Sequence, residues 1–157
     1  MESWLHVDMD QPVSLLDVVL RMFLASALGA VVGFEREVKS KAAGLRTHAM
    51  VSLGSAVFTL AALEMYQLTL ADSATKGDPT RIIEGIVGGI GFLGAGQIIQ
   101  SRGSVHGVTT AAGVWVVGAV GVACGGGYYA LAGLTVGFAL LIMAGLAVFE
   151  PNGGKQA

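Results

Sequence analysis

The sequence predicts an all-α membrane protein, a compact bundle of five transmembrane helices. The chain of 157 residues is 54% hydrophobic and only 13% charged, against a charged share of about 25% in soluble domains. Its mean hydropathy is +0.70. Short polar connections separate five apolar segments, each close to the length of about 20 residues that a helix needs to cross a bilayer.

The predicted transmembrane domain covers residues 13–149, between an extracytoplasmic tail, 1–12, and a cytoplasmic tail, 150–157. A glycine triplet, residues 125–127, is expected to break the chain between the last two spans, because glycine readily leaves the helical conformation. The five spans are predicted at 13–34, 45–68, 81–100, 108–124 and 128–149.

The third segment, RIIEGIVGGIGFLGAGQIIQ, is predicted to be the central packing helix of the bundle. Small residues four positions apart let neighbouring helices approach the backbone closely. The first span has the same spacing. The glycines assigned to helix packing are Gly29, Gly33, Gly85, Gly89, Gly91, Gly94 and Gly96.

Several classes of function are disfavoured. A net charge of -2 without a long basic patch gives little support for nucleic-acid binding. The third segment contains G-x-G-x-x-G, but no strand precedes it, no helix begins there and no acidic residue follows about 20 positions later, so we reject a dinucleotide site. The motifs of hydrolases, zinc proteases and P-loop ATPases are absent, and we expect neither an enzyme nor a resident cofactor.

The orientation follows from the lysines and arginines, which accumulate in short cytoplasmic loops. Four of them lie in the connection after the first span, and the other side carries only Lys76 and Arg81 beside acidic residues. We therefore expect the N-terminus outside and the C-terminus in the cytoplasm.

An outer group of charged residues is expected near the extracytoplasmic ends of spans one to three. Ionisable groups inside a membrane helix are costly, so they pair or face a polar cavity. The favoured interpretation is a salt-bridge network that fixes helix register; the alternatives are a vestibule for a cation such as Mg2+, whose ligands are carboxylate oxygens, and side chains that reach the interface. The group comprises Asp17 with Arg21, Glu64, and Arg81 with Glu84.

An inner group of polar residues is expected near the cytoplasmic ends of spans one to four. Glu35 ends the first span and Arg46 begins the second, so an ion pair between them would tie the two helices together. An anion site or a partner site is the alternative. For His48 and His106 an ordinary polar contact is favoured over metal binding. The candidate functional residues of this group are Glu35, Arg46, Thr47, Thr110 and Arg102.

Four stretches in succession give the sequence a family resemblance. These are LGAVVGFERE, AGLRTHAMVSLGSAVF, RIIEGIVGGIGFLGAG and VHGVTTAAGVW, which together cover roughly residues 28–115. In this order they resemble the MgtC/SapB family of bacterial inner-membrane proteins. Carried over by motif, the polar family positions are Glu35, Arg46, Thr47 and Thr110.

The resemblance implies a multi-pass protein of the bacterial inner membrane that is linked to growth in low magnesium and, in pathogens, to virulence. Family members are described mainly as regulators of other membrane proteins, with the proton-translocating ATP synthase as one proposed target. Better-known members continue into a soluble cytoplasmic domain, so a chain ending at Ala157 resembles a short form.

Two functions remain open at this point. One is regulation of magnesium, phosphate or proton homeostasis through partner membrane proteins; the other is transport of magnesium or another cation through the outer carboxylates. The absence of a convincing internal repeat favours regulation, since repeats are typical of transporters. Glycine pairs on several spans also predict a homo-oligomer, most simply a dimer, surrounded by membrane lipids.

Overall fold

A computed structural model of the protein describes residues 13–70, 78, 80–101 and 104–145. The predicted tails, 1–12 and 150–157, lie outside this range. Within it the chain forms five helices and one short antiparallel hairpin. These elements are α1 (Leu15–Val38), α2 (Leu45–Leu70), α3 (Thr80–Gln97), β1 (Ile99–Ser101), β2 (Ser104–His106), α4 (Val108–Gly125) and α5 (Tyr129–Gly145).

In the part of the chain that the structure describes, three stretches of helix are long and apolar enough to cross a membrane, namely Leu15–Val38, Leu45–Gln67 and Val108–Gly125. Helix α5 is apolar but has 17 residues. The large hydrophobic share of the chain and these helices identify an integral membrane protein, which confirms the all-α membrane class.

The ends of two predicted spans differ from the structure. Helix α1 continues four residues beyond residue 34. Residues Glu35–Val38 are helical, whereas the sequence predicts them in the connection after the first span. Helix α3 ends at Gln97, and the following residues pair in the hairpin, with Ile99 opposite His106. Gly107 connects the hairpin to α4 with a φ of 87°, a conformation that residues with side chains disfavour.

Helix α4, not α3, is the centre of the bundle, so the prediction of a central third span is wrong. Eleven of the 18 residues of α4 are buried, against three of the 18 residues of α3. Helix α4 packs against α1, α2, α3 and α5, whereas α3 packs mainly against α4. Val117, Val120 and Cys124 of α4 lie fully enclosed in the main hydrophobic core.

Close helix contacts form at glycines on the enclosed side of the bundle. A Cβ atom on Gly29 would lie 2.7 Å from the Ser52 Cβ, and one on Gly33 would lie 2.7 Å from the Leu45 Cα. The absence of a side chain at these two positions thus lets α1 and α2 approach each other closely. Gly121 of α4 approaches α2 in the same way, where a Cβ would overlap the carbonyl oxygen of Ser52.

The packing role predicted for the glycines of α3 is largely wrong within this chain. Among the predicted glycines of α3, Gly94 alone approaches a neighbour among the described residues, with 3.6 Å between its ideal Cβ position and the Ala111 carbonyl oxygen. No neighbouring atom of the described residues lies within 4 Å of such a position at Gly85, Gly89, Gly91 or Gly96. These four glycines therefore leave one side of α3 open.

Candidate functional site

One end of the bundle collects many of the basic side chains, and we call it the basic end. It is formed by the C-terminus of α1, the connection to α2, the hairpin and the N-terminus of α4. Glu35 lies at its centre. The Glu35 carboxylate accepts a hydrogen bond from Arg36 Nε and forms an ion pair with Lys39 Nζ at 2.8 Å. Arg36 is 3% exposed, so this pair is shielded from solvent.

The predicted ion pair between Glu35 and Arg46 does not form. Glu35 instead takes both partners from its own helix, which is closer and needs no particular orientation of α2. Arg46 and Thr47 are exposed on the first turn of α2. Thr110 is buried on α4, and Arg102 lies outside the described residues.

The start of α2 is fixed by Glu37 rather than by Arg46. The Glu37 carboxylate accepts a hydrogen bond from the Leu45 backbone N–H at 2.8 Å, and so satisfies one of the free donors at that helix N-terminus. One turn later, His48 Nδ1 donates to the Gly44 carbonyl oxygen at 2.9 Å. The expected ordinary polar contact of His48 is therefore present.

A row of buried polar side chains runs along α2 and faces the interior. Its members recur at intervals of three or four residues, which places them on one face of the helix. The Ser55 hydroxyl donates to the Val51 carbonyl oxygen and the Thr59 hydroxyl donates to that of Ser55, so both are satisfied within α2. This row consists of His48, Ser52, Ser55 and Thr59.

Two polar atoms of this row have no hydrogen-bond partner among the described residues. They are His48 Nε2 and the Ser52 hydroxyl, both fully enclosed. The His48 ring faces α4 at Gly113, where an added Cβ would lie 3.2 Å from Nε2. The row contains no carboxylate, so it does not resemble a path lined by ligands for a hard cation.

The predicted outer carboxylates do not form a metal site. Asp17, Glu64 and Glu84 are all exposed. No three His, Cys, Asp or Glu side chains converge on a metal-sized site anywhere in the described part of the chain. Asp17 accepts a hydrogen bond from the Ser14 hydroxyl at 2.7 Å, at the start of α1.

The predicted pair of Asp17 with Arg21 is wrong as well. Arg21 instead reaches across to α4, where its Nη1 atom donates to the Gly125 carbonyl oxygen at 2.8 Å. The last carbonyls of a helix lack partners inside the helix and carry partial negative charge. Arg21 therefore caps the C-terminus of α4, a contact that only the tertiary structure reveals.

An open apolar groove lies between α2 and α3. Its volume is about 700 Å³, and it runs along the side of α3 that carries Gly85 and Gly89. Met50, Val51 and Phe58 line it from α2. Phe58 is 62% exposed. Most of this large apolar side chain is therefore uncovered in a single copy of the chain.

Sequence reasoning missed the polar row of α2 and the burial of Arg36. The row could have been found, since residues 48, 52, 55 and 59 follow the spacing of one helical face. The burial of Arg36 carries no comparable signal, because it depends on the extra turn of α1 and on the position of α4.

Comparison with known proteins matches residues 22–151 to the model of the MgtC family. YhiD of Escherichia coli strain K12, which is named as a proposed magnesium transporter, is 37% identical over 73% of this chain and 54% of its own length. Protein MgtC of Salmonella typhimurium strain LT2 is 40% identical over 77% of this chain and 48% of its own. Protein MgtC of Brucella abortus is 41% identical over 76% and 47%.

The chain thus spans about half the length of the curated relatives that it matches. The matched region contains the polar row of α2, the groove and most of the basic end. No solved structure matches the chain.

Proposed function

The chain belongs to the MgtC family, and from this we propose that it supports magnesium homeostasis in a bacterial inner membrane by binding and regulating partner membrane proteins. One relative is named for magnesium transport, which links this family to the same ion. The regulatory form of the proposal rests on the groove between α2 and α3.

The groove has the chemistry of a docking site for a transmembrane helix. In a membrane, helices associate through close backbone approach at small residues, because the lipid is as apolar as their side chains. Gly85 and Gly89 present such a small-residue face with no neighbour of the described chain against it. Phe58 and Met50 offer apolar surface beside it.

We infer that the occupant is an apolar helix of another membrane protein. The ATP synthase, suggested by the family resemblance, is one candidate partner. A second copy of this chain is the other occupant to be tested, since the same glycines favour a homodimer.

Transport of a cation is the second candidate function. The name of the YhiD relative favours it, and the buried row from His48 to Thr59 is the feature of the structure on which it can be judged. The row offers hydroxyls and one imidazole but no carboxylate, whereas Mg2+ sites use carboxylates together with retained waters. This composition supports regulation over transport.

A measurement of magnesium flux separates these functions. The purified protein in sealed vesicles should give no more Mg2+ entry than empty vesicles, when a fluorescent magnesium indicator is trapped inside. Magnesium entry proportional to the protein content would instead establish transport.

The groove itself is tested by filling it. Gly89→Leu should abolish the ability of the protein to restore growth in low magnesium, with unchanged amounts in the membrane. Gly88→Leu is the matched control, because Gly88 lies on the same helix with open space around it but does not line the groove. Equal growth of both variants would contradict the docking proposal.

We further propose five spans, with the N-terminus outside and the C-terminus in the cytoplasm. In a Cys124→Ala background, a cysteine at position 73, which lies outside the described residues, should react with an impermeant thiol reagent in intact cells. A cysteine at position 101 should react only after permeabilisation. The reverse pattern would refute this orientation.

A further inference from the structure

A second cavity, separate from the groove, opens at the basic end. Its volume is about 330 Å³, and it lies between the C-terminus of α1, the hairpin, the first turn of α4 and Met143 of α5. The polar side chains that line it are those of Arg36, Lys39, Lys41, His106, Thr109 and Thr110. None of the described residues that line it is an aspartate or a glutamate.

The charge of this lining is strongly positive. Glu35 lies behind the cavity wall and pairs with Arg36 and with Lys39, so it offsets part of their charge. Lys41 is exposed and makes no ion pair with a described residue. Three cations against one carboxylate leave an excess of two positive charges, which favours an anion in the cavity.

Thr110 adds a neutral hydrogen-bonding group to the cavity. The residue is 3% exposed, and its side chain lines the cavity. A ligand with acceptor oxygens in the cavity would accept a hydrogen bond from the Thr110 hydroxyl.

The backbone at this point also favours an anion. Helix α4 begins beside the cavity, and its N-cap residue is Gly107, which has no side chain to cap the first N–H groups. The free N–H groups and the dipole of a helix N-terminus attract phosphate and similar anions. These donors and the cations come from different elements and meet at the same cavity.

Apolar side chains at the edge of the cavity indicate what the anion is attached to. Val105 and Val108 are each 55% exposed next to the charged lining, and Met143 lies on the same wall. A small soluble anion would gain no favourable contact from this apolar surface. A phospholipid presents a phosphate and an apolar part side by side, and basic pockets between membrane helices bind such headgroups.

We propose that this cavity binds phosphate oxygens, those of an anionic phospholipid headgroup, with Lys41, Arg36 and the Thr110 hydroxyl as donors. The proposal is independent of the regulatory function and of the groove. Free inorganic phosphate shares the chemistry of the ligand, and the test distinguishes the two sources.

The test measures the melting temperature of the purified protein in mild detergent during titration with phosphatidylglycerol. Phosphatidylcholine is the neutral lipid for comparison, and sodium phosphate is titrated against sodium chloride at equal ionic strength. Phosphatidylglycerol should raise the melting temperature of the wild-type protein well above the effect of phosphatidylcholine.

Two variants remove donors without disturbing the fold. Lys41→Gln removes an exposed charge that has no ion pair in the described chain, and Thr110→Val replaces the hydroxyl by a methyl group of similar size. Lys41→Gln should raise the lipid concentration needed for half of the shift about fivefold, the factor that corresponds to the loss of one basic contact at a membrane surface. Thr110→Val should raise it by a similar factor of about five, which corresponds to the loss of one typical hydrogen bond. Arg46→Gln is the matched control, because Arg46 is exposed nearby but does not line the cavity.

The outcomes separate clearly. A shift by phosphatidylglycerol that weakens in the two variants and persists in Arg46→Gln supports the lipid site. The same pattern with sodium phosphate alone supports the site with free phosphate as its ligand. Equal titrations in all four proteins, or no preference for either anion over its control, would overturn the proposal.

Discussion

Helices α3 and α4 have the same length and opposite positions in the fold. Both have 18 residues and are rich in glycine. The glycines of α4 lie against α2, α3 and α5, where added Cβ atoms would crowd their neighbours, whereas most glycines of α3 face open space. Glycine content thus indicates that other helices can approach a membrane helix closely. It does not indicate whether those other helices belong to the same chain.

The sharpest test of this difference is Gly121→Ala on α4. The new Cβ would overlap the backbone carbonyl of Ser52 and lie 2.7 Å from the Ser55 Cβ, and backbone atoms cannot rotate away. We expect a loss of about 3 kcal/mol, the upper part of the usual range for overpacking. Thermal unfolding of the purified protein in mild detergent, followed by circular dichroism, measures it.

An unchanged melting temperature in Gly121→Ala would mean that α2 and α4 are less tightly packed than the structure shows. Gly133→Ala on α5 is the control, because no described atom lies within 4 Å of an added Cβ there.

The same contrast between enclosed and open positions applies to two arginines of the basic end. Arg36 is buried and bonded to Glu35, while Arg46 is exposed. Removing one partner of a buried ion pair costs about 3–5 kcal/mol, and since Glu35 keeps Lys39, we expect Arg36→Gln to lose about 2 kcal/mol. Arg46→Gln should unfold like the wild-type protein, in line with the small effect of exposed charges.

A double variant checks the cause. Glu35→Gln should cost less in the Arg36→Gln background than in the wild-type protein, because the charge pair is already broken. Additive losses would show that Arg36 stabilises the bundle through packing alone.

These cases show how far the sequence leads. Length and hydropathy predict five helical segments and most of their bounds, because each apolar run is continuous and each connection is polar. The spacing of Gly29 and Gly33 predicts a face for close helix contact, and in the structure α2 lies on that face. Periodicity assigns a face to a helix but does not name the neighbour on that face, and this is why α3 was wrongly placed at the centre.

The candidate site was predictable only in part for a related reason. The predicted topology places Glu35 and Arg46 at the same end of the bundle, but an ion pair forms only when the charged atoms lie within a few ångströms of each other. Lys39 lies one turn from Glu35 on the same helix and therefore competes better. The capping of α4 by Arg21 joins two residues 104 positions apart in sequence, and no local pattern encodes it.

Gly118→Ala tests the interface between the two compared helices directly. The added Cβ would overlap Ile90 Cδ1 of α3, the end of a flexible side chain that can change its rotamer. We expect a loss of about 1 kcal/mol, the lower part of the overpacking range. A loss as large as that of Gly121→Ala would show that Ile90 is held rigidly and that α3 is anchored more firmly than its few buried residues indicate.

The smallest expected effect is that of Gly89→Ala on α3. The added Cβ meets no described atom within 4 Å, and alanine favours the helix more than glycine does. The free energy of unfolding of the purified protein should therefore change by no more than about 0.5 kcal/mol, as for ordinary surface substitutions.

A partner helix in the groove would change this result, because the same Cβ would then lie in an interface. If the groove is occupied in the membrane, Gly89→Ala should weaken chemical cross-linking of the protein in native membranes while leaving the purified protein intact, and Gly88→Ala should do neither. Equal cross-linking in both variants would leave α3 as a helix whose open glycines face lipid alone.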